Sequence, residues 1–216
     1  MKCIYILLFL FSFNVICAQV PYYGTTVGEH KLFGYHSLKF RPGQNNQCTY
    51  TTLQYGISDW LSVGTDLSTG NDERFIGYYG RVGYSFSKRL SLGMQITPSF
   101  DLENSHKFAY NTTGLFINGN ISEDGEIFWV SNTWHTAYED GDNTFEQWWY
   151  LAGNIKLSQN SSFWPHLGVV HSWEFDKDID VAAGFFYVYK NYSFYLWGND
   201  FFEKHPRITL AVDFTF

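Results

Sequence analysis

The chain has 216 residues, of which 21% are aromatic and 16% charged, with a formal net charge of −7 and a mean hydropathy of −0.22. An acidic chain excludes the nucleic-acid binders, which need a basic surface. Slightly negative hydropathy beside so many Phe, Tyr and Trp is what strict alternation of apolar and polar residues produces, because the mean cancels while the aromatic count stays high. The N-terminus opens with Met1-Lys2, an almost unbroken apolar run from Ile4 to Phe13, and Ile16-Cys17-Ala18 before Gln19. That is the pattern of a secretory signal peptide over 1–18, which leaves a single domain over 19–216. The run is shorter than the about 20 apolar residues that a spanning helix needs. Bulky Ile16 before Cys17 speaks against a lipid-modified cysteine. Cys48 is then the one cysteine left, so no intrachain disulfide is expected, and neither a metal nor a cofactor is expected. The Asn-x-Ser/Thr triplets at Asn111, Asn120, Asn160 and Asn191 read as turn and strand chemistry.

Beyond residue 18 no segment holds a helical period, and what recurs is period two. Leu61, Val63, Thr65 and Leu67 alternate with Ser62, Gly64, Asp66 and Ser68, and Leu90, Leu92, Met94 and Ile96 with Ser91, Gly93, Gln95 and Thr97. Between Phe145 and Leu157, Trp149, Leu151 and Ile155 oppose Glu146, Asn154 and Lys156. The last strand is the cleanest: Ile208, Leu210, Val212, Phe214 and Phe216 against Arg207, Thr209, Ala211, Asp213 and Thr215. Such strands between lipid and a polar interior leave no open edge, since unpaired backbone groups in hydrocarbon cost several kcal/mol each. The expected fold is therefore all-β, a closed antiparallel up-and-down transmembrane barrel.

Turn-like clusters near 42–46, 58–60, 69–75, 87–89, 102–107, 118–126, 139–143, 158–162, 175–179, 190–191 and 200–206 separate about twelve strands. Ten or fourteen remain open, because Lys31 to Arg41 and Tyr192 to Asn199 alternate less clearly. Eight strands would require connections of roughly 17 residues, and no polar stretch of that length occurs. A weak repeat, Tyr55 to Gly64 against Tyr84 to Gly93, marks two hairpins with short polar turns.

The alternating C-terminus ending on Phe216, with Phe214 before it, resembles the C-terminal signature of bacterial outer-membrane barrels. The paired hairpins resemble the periplasmic hairpins of the same porin-like class. The resemblance implies a bacterial outer-membrane location, outer-membrane lipid as surroundings, and the barrel-assembly machinery as a partner that reads Phe214 and Phe216. It also implies that the turns at 58–60, 87–89, 118–126, 158–162 and 190–191 face the periplasm. Single cysteines placed at Ser58 to Trp60 or Ser87 to Arg89 should then escape surface labelling of intact cells, whereas cysteines around Asn71 to Glu73 or Asp140 to Asp142 should react.

Parity places Asp66, Arg81, Gln95, Asp101, His135, Glu146, Asn154, Lys156, His166, Arg207 and Asp213 in the lumen as candidate pore-lining residues. Mixed charges there serve either as pairs that fill the interior or as a hydrated eyelet for small solutes. Twelve strands lie between filled eight-stranded barrels and open sixteen-stranded ones. Trp60, Tyr84, Trp149, Trp164, Trp173, Tyr187 and Tyr192 are candidate interface aromatics. Trp148, Tyr150, Tyr195 and Trp197 are either lumen filling or an aromatic sugar track. A lipid-modifying enzyme would need a nucleophile and base in contact. No His-x-Ser occurs, His171 has Val169 and Trp173 as same-face neighbours, and Ser131 lies about 13 Å from His135 along a strand. No catalytic residue is expected. A narrow channel for passive transport is the leading expectation, with a sealed structural barrel or envelope-complex subunit behind it and a lipid-modifying enzyme third.

Overall fold

The computed structural model describes residues 26–45, 47–70, 73–172 and 176–216, with side chains outside 172–178. The expected leader over 1–18 and the expected interface residue Trp173 lie outside the described residues. Every described element is a strand: β1 Leu32–Phe40, β2 Gln47–Gly56, β3 Leu61–Gly70, β4 Glu73–Ser87, β5 Leu90–Asp101, β6 Phe108–Asn120, β7 Ile127–Tyr138, β8 Thr144–Gly153, β9 Ile155–Lys156, β10 Ser161–Ser172, β11 Asp176–Tyr189, β12 Tyr192–Asn199 and β13 Arg207–Thr215. β9 is a two-residue continuation of β8 past Asn154, and both pair with β10, so the wall counts twelve strands. Each strand is antiparallel to its neighbours, and β13 pairs with β1 from Phe33↔Thr215 to Phe40↔Ile208. The barrel is closed.

Alternation decides which residue meets which side of this wall. Leu53, Val63, Leu67, Tyr78, Val82, Met94, Ile96, Leu115, Leu151, Leu167, Phe194, Leu196 and Leu210 are exposed outward, forming the apolar coat of a wall built for hydrocarbon. The buried set is largely polar: Ser37, Gln54, Ser62, Asp66, Gln95, Thr97, Asn132, His166, Ser193 and Asp213. A soluble protein would invert this, so the inside-out distribution itself calls for a lipid solvent.

Four of the turns at the end where the described residues begin and end share one device. Ser58 and Ser158 each receive backbone N–H groups on their hydroxyls, Leu61 N at 3.1 Å and Asn160 N at 3.2 Å. Ser87 receives Arg89 N at 3.1 Å and Ser122 receives Ile127 N at 2.9 Å. A serine hydroxyl that closes its own turn explains why these hairpins need so few residues. The β3–β4 and β6–β7 connections are shorter than the sequence suggests, because β3 reaches Gly70, β4 starts at Glu73 and β6 runs to Asn120. Turn-forming residues there stay in register as ladder pairs, Gly70↔Glu73 and Asn120↔Phe128.

In the 121–126 turn the Asp124 carboxyl is held below its ordinary range by hydrogen bonds from Ser122 and from Glu126 N at 3.0 Å. A depressed carboxylate adds stability that is present above the ordinary value and lost as pH falls through the folded one. The protection factor of the Glu126 amide should therefore fall in acid below that value, and Asp124→Asn should flatten the dependence.

The other end is laced by ion pairs between adjacent turns. Arg41 reaches Asp200 Oδ2 at 2.5 Å and the His205 carbonyl at 2.5 Å, while His205 Nδ1 meets the Pro42 carbonyl at 2.8 Å. These contacts bind the 200–206 turn to the 41–45 segment across the β13–β1 seam. Lys107 pairs with Glu139 at 3.1 Å and Arg74 with Glu103 at 3.7 Å.

Candidate functional site: the lumen

The inward parity of all the long strands converges on one cavity of about 380 Å³. Its lining runs from Lys39, Ser68, Phe75, Tyr110, Thr136 and Glu146, within a few residues of the loop end, down to Gln54, Thr215, Thr26 and Val27 at the terminus end. Thr26 and Val27 form its floor. They are held there because Thr26 Oγ1 donates to the Asp59 carbonyl at 2.6 Å and His30 N to the Gly56 carbonyl at 2.9 Å.

The interior is asymmetric. On the side of β6, β7, β8, β10 and β11 the terminus half is packed dry by Phe116, Phe128, Val130, Tyr150, Ala152, Trp164 and Phe186. On the side of β1 to β5 small and polar residues leave room: Thr52, Gln54, Gly77, Gln95, Thr97 and Ser99 all line the cavity. Gly77 matters to that space, because a Cβ there would lie 2.7 Å from Thr97 Cγ2 and 2.9 Å from Ser99 Oγ.

Arg81 lies along the cavity wall from β4 toward β6. Its Nε and Nη2 both donate to Gln95 Oε1, at 2.9 and 2.7 Å, and its guanidinium lies 4.6 Å over the Phe116 ring. Gln95 is fixed in turn by donating from Nε2 to Thr97 Oγ1 at 2.9 Å. On β3, Asp66 faces the same space beside the Thr52–Tyr79 hydroxyl pair, 2.8 Å apart, and no protein donor reaches its Oδ1. Among the described residues the cavity lining holds two cations, Lys39 and Arg81, and two carboxylates, Asp66 and Glu146. The fixed charges cancel.

Of the residues expected in the lumen, Asp66, Arg81, Gln95, Glu146 and His166 stand on the cavity wall. Asp213 also points inward, fully buried, and accepts a hydrogen bond from the Tyr195 hydroxyl. Asn154 sits at the break between β8 and β9, and Lys156 is exposed beyond it. Arg207 lies at the first position of β13, opposite Asn199, above the cavity. Two expectations need correction. Asp101 is the acceptor of the 102–107 turn, taking Glu103 N at 2.7 Å and Asn104 Nδ2 at 2.5 Å, so it belongs to the rim. His135 is exposed on the outer wall, because Asn132, Trp134 and Thr136 take the inward positions of β7. Both parities of β7 carry polar residues, so alternation alone chose the wrong face there. Ser131, four pairs further down, shares that outer parity.

The aromatics divide as well. Trp60 and Tyr84 are exposed toward the terminus end, Tyr187 is partly exposed near that end of β11, and Tyr192 meets the Phe216 ring at 5.9 Å. Trp149 faces outward but from the middle of β8. Trp164 is an interior residue, its Nε1 donating to Ser162 Oγ at 2.5 Å and its ring 5.1 Å from Phe128. It pairs with inward Phe186 on β11, and a wall position next to a strand end carries no sign in the sequence of which side it serves. Trp148, Tyr150, Tyr195 and Trp197 all point inward. Trp134, Phe116, Tyr50 and Tyr79 do too, and sequence reasoning missed them.

No protein-family model matches this chain, and no curated protein matches its sequence. Solved structures do. The KdgM porin superimposes with a TM-score of 0.60 over 85% of this chain and 99% of its own, at 8% identity. The fold is that of the small outer-membrane porins. The NanC porin (TM-score 0.58, 8% identity, 84% of this chain and 98% of its own) is similar in the same way. So is Omp33 from Acinetobacter baumannii, at a TM-score of 0.52 and 9% identity over 87% of this chain and 99% of its own. With so little identity the likeness is one of fold. The lumen of this porin-like barrel is built from residues of its own.

Proposed function

We propose that the protein is an exported channel of the bacterial outer membrane, passing small solutes passively through the lumen. The observation that supports this best is the continuous cavity beside β1 to β5, lined along its length by hydroxyls, amides and charged groups. A barrel meant only to be filled has no need to leave that side unpacked. The apolar outward coat and the porin fold agree with the reading. KdgM has been solved in complex with disordered oligogalacturonate, an acidic ligand. The balanced charge of this lumen argues for a different cargo here.

In a planar bilayer the purified protein should give small, discrete conductance steps. Replacing both floor residues, Thr26→Gly with Val27→Gly, should enlarge them, because that segment narrows the terminus end. The dry packing around Phe116 and Phe128 favours one competing reading, a sealed structural barrel or a subunit of an envelope complex. Bilayers that stay silent with a fully folded protein would decide for it. An activity on lipid has no geometric support: His135 and Ser131 share the outer parity of β7 but are four residues apart along the strand.

A further inference from the structure

The loop-end half of the lumen carries a feature that transport as such does not require. Half-buried aromatic rings from separate strands face the cavity there: Tyr50 on β2, Trp134 on β7, Trp148 on β8 and Trp197 on β12. Trp148 and Trp197 come together over the β10–β11 stretch of wall, ring centroids 4.1 Å apart at 36°. The indole of Trp148 is held by donating from Nε1 to Glu146 Oε1. Thr112, Thr136, Thr144 and Thr209 line the same cavity, the Thr112 and Thr136 hydroxyls 3.0 Å apart.

We infer that this half of the lumen is a binding site for a neutral sugar ring, formed around Trp148 and Trp197. The proposal deepens the channel reading and rests on it for access to the site. Three properties select the ligand. Lys39 and Arg81 against Asp66 and Glu146 leave no net charge, so neither an anion nor a cation is concentrated. The threonine hydroxyls and the Glu146 carboxylate would lose hydrogen bonds to a hydrocarbon, which excludes an apolar ligand. Trp148 and Trp197 are in contact, so no slot for a flat base lies between them. What remains to a ligand is an aromatic face beside a row of hydrogen-bonding groups, which suits the C–H face and hydroxyl edge of a pyranose. The lumen cavity that the site shares, about 380 Å³ in all, lies in the range of small-molecule sites and admits a small saccharide.

The test uses the folded barrel in two assays, block of single-channel current and equilibrium binding by intrinsic tryptophan fluorescence. The probes are maltose, cellobiose, digalacturonate and adenosine. Either neutral disaccharide should block current and shift fluorescence at lower concentration than digalacturonate or adenosine. Trp197→Ala or Trp148→Ala should weaken both effects about tenfold, the scale of losing a central aromatic anchor. Trp148→Phe should restore part of the loss, and outward Trp149→Ala should leave it intact. Heat-modifiable migration confirms that each variant is folded, and Trp197→Phe replaces any alanine variant that is not. Stronger block by digalacturonate or adenosine overturns the proposal. So does current that no disaccharide affects, which leaves the channel standing. Fluorescence shifts abolished by Trp197→Ala in a protein that never conducts would uphold the site and remove the channel.

Discussion

Deleting Phe216 should remove most of the heat-modifiable folded barrel, about tenfold or more, whereas deleting Gln19 should leave it unchanged. The seam explains the size of the effect. Phe216 N donates to the Leu32 carbonyl at 2.8 Å and Leu32 N donates to the Phe216 carbonyl at 2.7 Å, the last rung that joins β13 to β1. Its ring meets Phe214 at 5.3 Å and Tyr192 at 5.9 Å. Phe214 in turn lies over Gly34 on β1, where a Cβ would stand 2.3 Å from the Phe214 ring. An aromatic covering a wall glycine pins the register of its pair. Loss of the terminal residue therefore takes away a closing rung and the support of the next ring, and an unclosed edge in lipid costs several kcal/mol for each unpaired group. Gly34→Leu should weaken folding through the same contact without touching the C-terminus. Unchanged gel migration after removal of Phe216 would show that the seam closes without it.

If the lumen conducts as proposed, replacing Arg81 by Gln should turn its ion preference toward cations, and replacing Asp66 by Asn should turn it toward anions. Both residues line the cavity, Arg81 on β4 opposite Ser62 and Asp66 four residues further along β3, and no salt bridge joins them. Each acts on a passing ion largely on its own. A unit charge at about 4 Å is worth about 1 kcal/mol in water, so a shift of about fivefold in the permeability ratio is expected from each substitution. Reversal potentials in a salt gradient measure it. Arg81→Gln also removes both donors from Gln95 Oε1 and the cation from the Phe116 face, so some thermal stability is lost with it. Asp66→Asn keeps the shape and isolates the charge. Selectivity indifferent to both substitutions would place the narrowest section elsewhere, at the Thr26–Val27 floor.

Much of the wall is legible in the chain because a barrel in lipid is governed by a local rule. Successive side chains meet opposite solvents, so Leu210, Val212 and Phe214 against Thr209, Ala211 and Asp213 announce their faces without reference to any partner. The serine-closed turns at Ser58 and Ser87 are equally local, and so is the count of strands they separate. The rule fails where both parities are polar or both aromatic. β7 reads Ser131-Asn-Thr-Trp-His-Thr136, and pairing with β6 and β8 settled that Trp134 faces in and His135 out. Trp164 took the interior for the same kind of reason, beside Phe128 and Phe186 from other strands.

The amino-acid sequence by itself determined the closed antiparallel wall, its polar interior and the seam at Phe216, since each follows from period two and from backbone groups that lipid cannot satisfy. Only the tertiary structure decided what the interior is. Whether a lumen is open depends on the summed volume of side chains from all twelve strands, and Phe116 and Trp164 fill one side while Gly77 and Ser99 spare the other. The meeting of Trp148 with Trp197 likewise has no local trace, because β8 and β12 lie three strands apart around the wall and share no backbone rung. The curvature of the wall brings them together.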